Sequence, residues 1–283
     1  MPNPVLNEKT FQRQLPADMQ AGWASPTGGA PISGPPIDVA PAPDPVSPWR
    51  PGVTGAPEAT MSVRGITSAT AVLIALLITS AAVGWAGVSV APDGTFDVPA
   101  LLLPALLVGL GFAIATIVRP GWARFTAPLY AIAEGYVVGA ISHLYEIDYT
   151  GIVLQAVGLT IAVFVIMLGL FATGRIRVTD KLRTGIIAAT AAVVAVYVLS
   201  LVAHLFGGDI PFIHDSGAFG IIFSLVVVGI ASANLLLDFD FCQRAVAAGA
   251  PKKLEWFAAF GLLLTLVWLY LELLRLLAKL QRR

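Results

Sequence analysis

The chain has 283 residues, of which 57% are hydrophobic and only 12% charged, and its 17 Lys plus Arg balance 17 Asp plus Glu. Soluble domains carry about 25% charged residues, so the composition all but excludes a water-soluble protein, and the lack of a basic excess sets aside nucleic acid as a partner. A single cysteine, Cys242, excludes an internal disulfide and any multi-cysteine zinc site.

Residues 1–62 read as a cytoplasmic tail. Thirteen of the 20 prolines lie in residues 1–60, mixed with Gly, Ala and Ser and few bulky apolar residues. Such a segment cannot offset its ordering entropy, so a disordered tail with short polyproline stretches is expected. No continuous apolar core follows Lys9 and Arg13, which argues against a signal peptide.

Residues 63–283 read as an all-α polytopic membrane domain, a seven-helix transmembrane bundle. A spanning helix needs about 20 mainly apolar residues. Seven runs approach that, at 67–90, 99–118, 126–145, 151–173, 184–206, 217–241 and 256–279. The third is the most polar, holding Glu134 and His143. Pro120, Gly121, Gly174, Gly207, Gly208 and Pro251 mark the breaks. Those after runs two, four and six carry Arg119, Arg124, Arg175, Arg177, Lys181, Arg183, Arg244, Lys252 and Lys253. Those after runs one, three and five carry Asp93, Asp97, Glu146, Asp148, Asp209 and Asp215 and no Lys or Arg. Cytoplasmic loops are enriched in Lys and Arg, which predicts a multi-pass protein with its N-terminus inside. The C-terminal cluster of Arg275, Lys279, Arg282 and Arg283 runs against that rule. A full crossing by run seven is still expected over a re-entrant one. Arginine outnumbers lysine twelve to five and alanine is abundant, a composition that fits a bacterial inner-membrane protein from a G+C-rich genome.

Acids inside apolar runs are the candidate functional residues, because an ionised group at mid-membrane costs about 2.5–3.5 kcal/mol on insertion scales. Glu134 sits one residue off the stripe of Ala131, Gly135 and Gly139, whose spacing of four permits close helix packing. It is either a buried, protonated acid or part of an ion pathway. Asp238 and Asp240 end run six and lie about 200° apart on a helix. Asp238 shares a face with Asn234 and is expected inward, Asp240 toward the basic loop near Arg244 or Lys252. Run seven carries a polar stripe of Gly261, Thr265, Trp268, Glu272 and Arg275, in which Glu272 and Arg275 can pair within the helix. His143, His204 and His214 show no metal-ligand spacing, and no nucleotide-binding or hydrolase fingerprint appears. An intramembrane hydrolase built on Ser216 or Ser224 with a histidine has nothing specific in its favour, so no enzymatic activity, catalytic residue or cofactor is expected.

The C-terminal half carries a resemblance. Ser232-Ala-Asn-Leu-Leu-Leu-Asp238, the basic loop after it, and Leu262-Leu-Leu-Thr-Leu-Val-Trp-Leu-Tyr-Leu-Glu-Leu-Leu-Arg-Leu-Leu277 resemble the Bax inhibitor/YccA-like family of small membrane proteins. The seven-span plan and the alternation of loop charge agree with it over residues 62–283. The resemblance implies a bundle in which one helix is enclosed by six. It also implies a pH-sensitive calcium leak closed by two aspartates, one in each of the last two helices. Ser232 matches the family serine six residues before the first aspartate, which falls on Asp238 with Asp240 as the close alternative. With Arg275 matched to the family arginine, the second aspartate falls on Thr265, which cannot titrate. Glu134, Asp240 or Glu272 would then supply the missing acid. Two carboxylates forced together in a low dielectric share a proton near neutral pH, so acidification would remove a charge that holds a cation or a blocking base. Calcium prefers six to eight oxygen ligands, so any site near Asp238 would be transient. The rival expectation is a non-conducting regulator that binds a membrane protease or a stress-response partner through its spans and tail.

Overall fold

The computed structural model describes residues 59–90, 96–97, 99–176, 178–206 and 217–282. The proline-rich tail up to residue 58, Asp93, Arg177, Gly207, Gly208, Asp209, His214, Asp215 and Ser216 lie outside the described residues.

Among the described residues seven α-helices follow one another: α1 (Val63–Gly87), α2 (Leu102–Val118), α3 (Ala123–Asp148), α4 (Ile152–Ala172), α5 (Asp180–Leu205), α6 (Ala218–Ala247) and α7 (Glu255–Gln281). Among the described residues, extended pairing is confined to a two-residue antiparallel ladder, Ser89–Val90 with Phe96–Asp97, and a single bridge between Thr60 and Pro251. Local chemistry sets several boundaries. Ser62 caps α1 by accepting from the Gly65 N–H, and Thr179 caps α5 by accepting from the Leu182 N–H. Gly249 ends α6 at φ 66°, a left-handed conformation that a side chain would strain. There the Ala250 N–H reaches back to the Ala245 carbonyl and the Gly249 N–H to Val246, closing the helix end.

Each apolar run of the sequence has become one helix, but not every helix is long and apolar enough to cross a membrane by itself. Five of them, α1, α4, α5, α6 and α7, are long and apolar enough to cross a membrane. The α2–α3 pair passes the same test only when taken together, and its axis turns by 119° at the break between them. By length and composition five helices qualify singly, or six spans if the bent pair counts as one, within the seven-helix bundle that was expected. The physical reason is that α2 has 17 residues, or about 26 Å at 1.5 Å per residue, against about 30 Å of hydrocarbon. Its partner α3 carries Glu134, His143 and Glu146 and is too polar to qualify alone.

The centre of the bundle is α7. In its apolar stretch 78% of residues are buried, against 11% in α4. It packs on α1, α3, α4 and α6, and the core around it is built from Leu73, Leu235, Phe257, Phe260, Leu263 and Leu269. The enclosure by six helices that the resemblance implied is therefore looser here. α2 lies chiefly against α3, and α5 chiefly against α6, so both are peripheral. Leu103, Leu107, Leu154, Ile161 and Ile222 are exposed, as side chains facing lipid would be.

The α1–α3 crossing is made by glycines. A Cβ at Gly135 or Gly139 would run into the backbone carbonyls of Leu77 and Ala81, and one at Gly84 into that of Tyr136. The stripe foreseen on run three is thus the surface on which α1 lies, with the Ser80 hydroxyl donating to the Ile132 carbonyl.

Contacts sort the helix ends into two groups. The chain entering α1 pairs with the α6–α7 turn, where the Met61 N–H donates to the Ala250 carbonyl and the Lys252 N–H to Ala59. Glu255, 5% exposed, accepts from both the backbone N–H and the hydroxyl of Ser62. The α2–α3 turn packs beside the same α6–α7 turn. Arg183 at the start of α5 joins Asp240 near the end of α6. Arg119, Arg124, Lys181, Arg183, Arg244, Lys252 and Lys253 thus gather at one end, the basic end. Trp85, His143, Tyr149, Gly220 and Arg282 gather at the other, linked by His143 Nδ1 to the Trp85 carbonyl, Arg282 Nε to the Tyr149 hydroxyl, and Lys279 to the Gly220 carbonyl.

Candidate functional site

The intramembrane acids meet different fates. Asp238, on the α6 face that packs into the bundle, is fully buried. Cys242 lies one turn further along the helix and Asn234 one turn back. The Asn234 amide donates to the Thr190 hydroxyl of α5 at 2.8 Å and to the Ile230 carbonyl at 2.9 Å. Its carboxamide oxygen is buried and accepts no hydrogen bond. Ser232 turns its hydroxyl back on its own helix, to the Val228 carbonyl. Asp240 points the other way and is held between two guanidinium groups, Arg183 at 2.8 Å and Arg244 at 2.9 Å.

On α7, Glu272 is 2% exposed and accepts from Arg275 at 3.0 Å and from the Tyr197 hydroxyl of α5 at 2.8 Å. Arg275 also donates to the Tyr197 oxygen at 2.8 Å and lies over its ring, so the three side chains form a closed triangle. Thr265 is buried and returns its hydroxyl to the Gly261 carbonyl at 3.3 Å. The α6–α7 register follows from Lys279, whose ammonium donates to Ser224 at 2.9 Å. Fourteen residues along α6 from Ser224 comes Asp238, and fourteen back along α7 from Lys279 comes Thr265. The two positions that the resemblance singles out are therefore level in the bundle.

Glu134 stands apart from these groups. It is half-buried on α3 and turned to α2, where its carboxylate lies 3.7 Å from the position a Cβ on Gly109 would take. Of the acids in apolar runs, the bundle brings Asp238, Asp240 and Glu272 to the α5–α6–α7 side and leaves Glu134 beneath α2.

Three participants had not been singled out from sequence: Thr190, Tyr197 and Lys279. Arg183, Thr190 and Tyr197 are spaced by seven along α5, and the buried Ile186 and Val193 fall between them. That spacing places all five on one helix face. A polar residue at every second rung of an inward stripe was a visible signal, masked because run five is otherwise apolar all round. Ser224, considered as a hydrolase nucleophile, bonds to Lys279 and not to a histidine. His143 stacks on Trp85 with centroids 4.6 Å apart. Among the described residues, no group of three or more His, Cys, Asp and Glu side chains is placed to hold a metal ion.

A family model described as Bax inhibitor 1 like matches residues 3–282. The chain belongs to the Bax inhibitor 1-like family. The match takes in the tail as well as the bundle, a longer reach than the resemblance over residues 62–283. No curated protein and no solved structure matches the chain. Within the family frame the chain is a membrane protein of apolar helices whose carboxylates concentrate on the last two helices and their contact with α5.

Proposed function

We propose that this Bax inhibitor 1-like protein is a pH-sensitive calcium leak of the bacterial inner membrane, with the basic end cytoplasmic. The observation that carries the reading is Asp238, fully buried in an apolar core and level with the hydroxyl of Thr265. An acid in that setting is costly to keep ionised and is the default candidate for a functional group. The neighbouring acids are already committed, Asp240 to two arginines and Glu272 to Arg275 and Tyr197. Asp238 is the fully buried carboxylate of α6, and its protonation would change the charge inside the bundle. Protonation would release a cation or a blocking base, so the leak rises as pH falls. Calcium is cargo here, held transiently by carboxylate, carboxamide and hydroxyl oxygens that fall short of a storage site.

The test is calcium efflux from liposomes containing the full chain, followed against pH. Wild type should conduct more at acidic than at neutral pH, and Asp238→Asn should flatten that dependence. Absence of flux at every pH, or an unchanged profile in the variant, would overturn the reading.

A second reading is a non-conducting regulator of a membrane protease or stress-response partner. The favouring observation is Thr265, which stands where the family's second aspartate is expected and cannot share a proton. Pulldown with and without residues 1–58 separates the two, since a stable partner lost with the tail supports the regulator.

A further inference from the structure

We infer that the permeation path is the seam between α5 and the α6–α7 wall, and that it opens when α5 leaves that wall. This inference rests on the leak reading and adds where the ion passes and which element moves.

The seam is held by polar rungs at successive depths. At the basic end Arg183 meets Asp240, one step further in Thr190 meets Asn234, and one step beyond that Tyr197 meets Glu272 and Arg275. Rungs seven residues apart are about 10 Å apart along a helix, so these three cover about 21 Å of a hydrocarbon layer about 30 Å thick. Lys279 and Ser224 continue the polar line toward the far end. Asp238 lies between the first and second rungs on the α6 side. Polar groups thus line most of the membrane depth along one helix boundary, while the α1–α3–α7 core is filled by apolar side chains.

Two further features mark this boundary as the one that parts. On its lipid side α5 does not close against α6: a cavity of about 390 Å³ lies between Lys181, Gly185, Ala189, Gly229 and Ala233. A Cβ at Gly185 or Gly229 would meet open space, in contrast to the glycines of the α1–α3 crossing. At mid-depth the Asn234 carboxamide oxygen is buried with its acceptor capacity unused. A buried acceptor of that kind is suited to a water or a passing cation. Lipid gives helices little hydrophobic reason to associate, so exchangeable hydrogen bonds hold α5. When α5 leaves, Arg183 goes with it, so Asp240 keeps one of its two guanidinium partners and Glu272 loses the Tyr197 hydroxyl.

The experiment uses the full chain in liposomes on a Cys242→Ser background. Thr190→Cys paired with Asn234→Cys, bridged by a short bifunctional thiol reagent, should cut calcium efflux at least tenfold, with recovery on reductive release of the bridge. Undiminished flux through the bridged protein would overturn the inference. Tyr197→Phe removes one rung without adding bulk and should raise the resting leak about fivefold, the shift one hydrogen bond near 1 kcal/mol supplies. An unchanged resting leak would overturn the inference that these rungs hold the seam closed. A second readout does not depend on flux. A charged, membrane-impermeant thiol reagent should modify Thr190→Cys far faster than Leu73→Cys in the closed core of α1. If the wild type never conducts, the leak reading falls while this labelling still decides whether the seam is wet. Equal, negligible labelling at both positions would sink the seam itself.

Discussion

Glu272, Arg275 and Tyr197 show how one buried carboxylate is made tolerable in an apolar bundle. The carboxylate receives two donors, and the guanidinium donates to both oxygens at 3.0 and 3.1 Å and to the phenol besides. Removing one member leaves the others short of partners, which costs more than the bond itself was worth. Arg275 is partly exposed and can turn to water, so the cost is moderated. Glu272→Ala should lower stability by about 1–3 kcal/mol, seen as a lower melting temperature in detergent, and Arg275→Met paired with Glu272→Met should recover part of it. Lys279 answers the C-terminal charge cluster that opposed the loop-charge rule. Its ammonium is buried against the Gly220 carbonyl and the Ser224 hydroxyl, and it is the last turn of a helix that favours cations. The side chain is tied to α6 inside the protein, and its charge is unavailable to mark a cytoplasmic loop.

The α1–α3 crossing and the α5 seam are opposite solutions to joining helices in lipid. At the first, Gly84, Gly135 and Gly139 let two backbones approach until no methyl group fits, so dispersion contacts accumulate along the whole crossing. A substituent there forces the helices apart. Gly139→Leu should destabilise by about 1–3 kcal/mol or more, measured as loss of monodisperse protein on size exclusion, whereas Gly185→Ala on the open α5 face should be silent in the same assay. Run three held the glycine spacing in plain view, so this element was legible before the fold was known. The polar rungs of α5 were equally present in the sequence. They passed unread because a hydroxyl in an apolar helix commonly bonds to its own backbone, as Thr160 and Ser232 do here. Only the packed partner reveals that Thr190 and Tyr197 do otherwise.

For the whole molecule, the two groups of helix ends give a definite topology to test. Single cysteines at Lys252 and at Arg124 should be labelled from the same side of oriented vesicles, and a cysteine at Asp148 from the opposite side. Labelling of Lys252→Cys and Asp148→Cys from one face would contradict the up-and-down order of the helices. The Ser62–Glu255 contact adds a prediction at this scale, because it ties the chain leaving the tail to the first turn of the central helix. Glu255→Ala should free that junction and speed proteolytic cleavage near residue 60, with little change in the helix content of the bundle.

Composition and hydropathy by themselves determined that this is a membrane protein, where its seven helices fall, and which breaks carry positive charge. Those properties depend on residues close together in the chain, and desolvation acts on each segment separately. The tertiary structure alone decided that α7 is central, that α2 and α5 are peripheral, and that the chain turns by 119° between α2 and α3. Helix spacing had already set Asp238 inward, Asp240 toward the basic loop and Glu272 beside Arg275; the tertiary structure added Arg183 to Asp240, Tyr197 to Glu272, and the separation of Glu134 against α2. Such assignments depend on which helix faces meet. In lipid, where burial of apolar surface no longer discriminates between faces, shape fit and polar pairing make that choice.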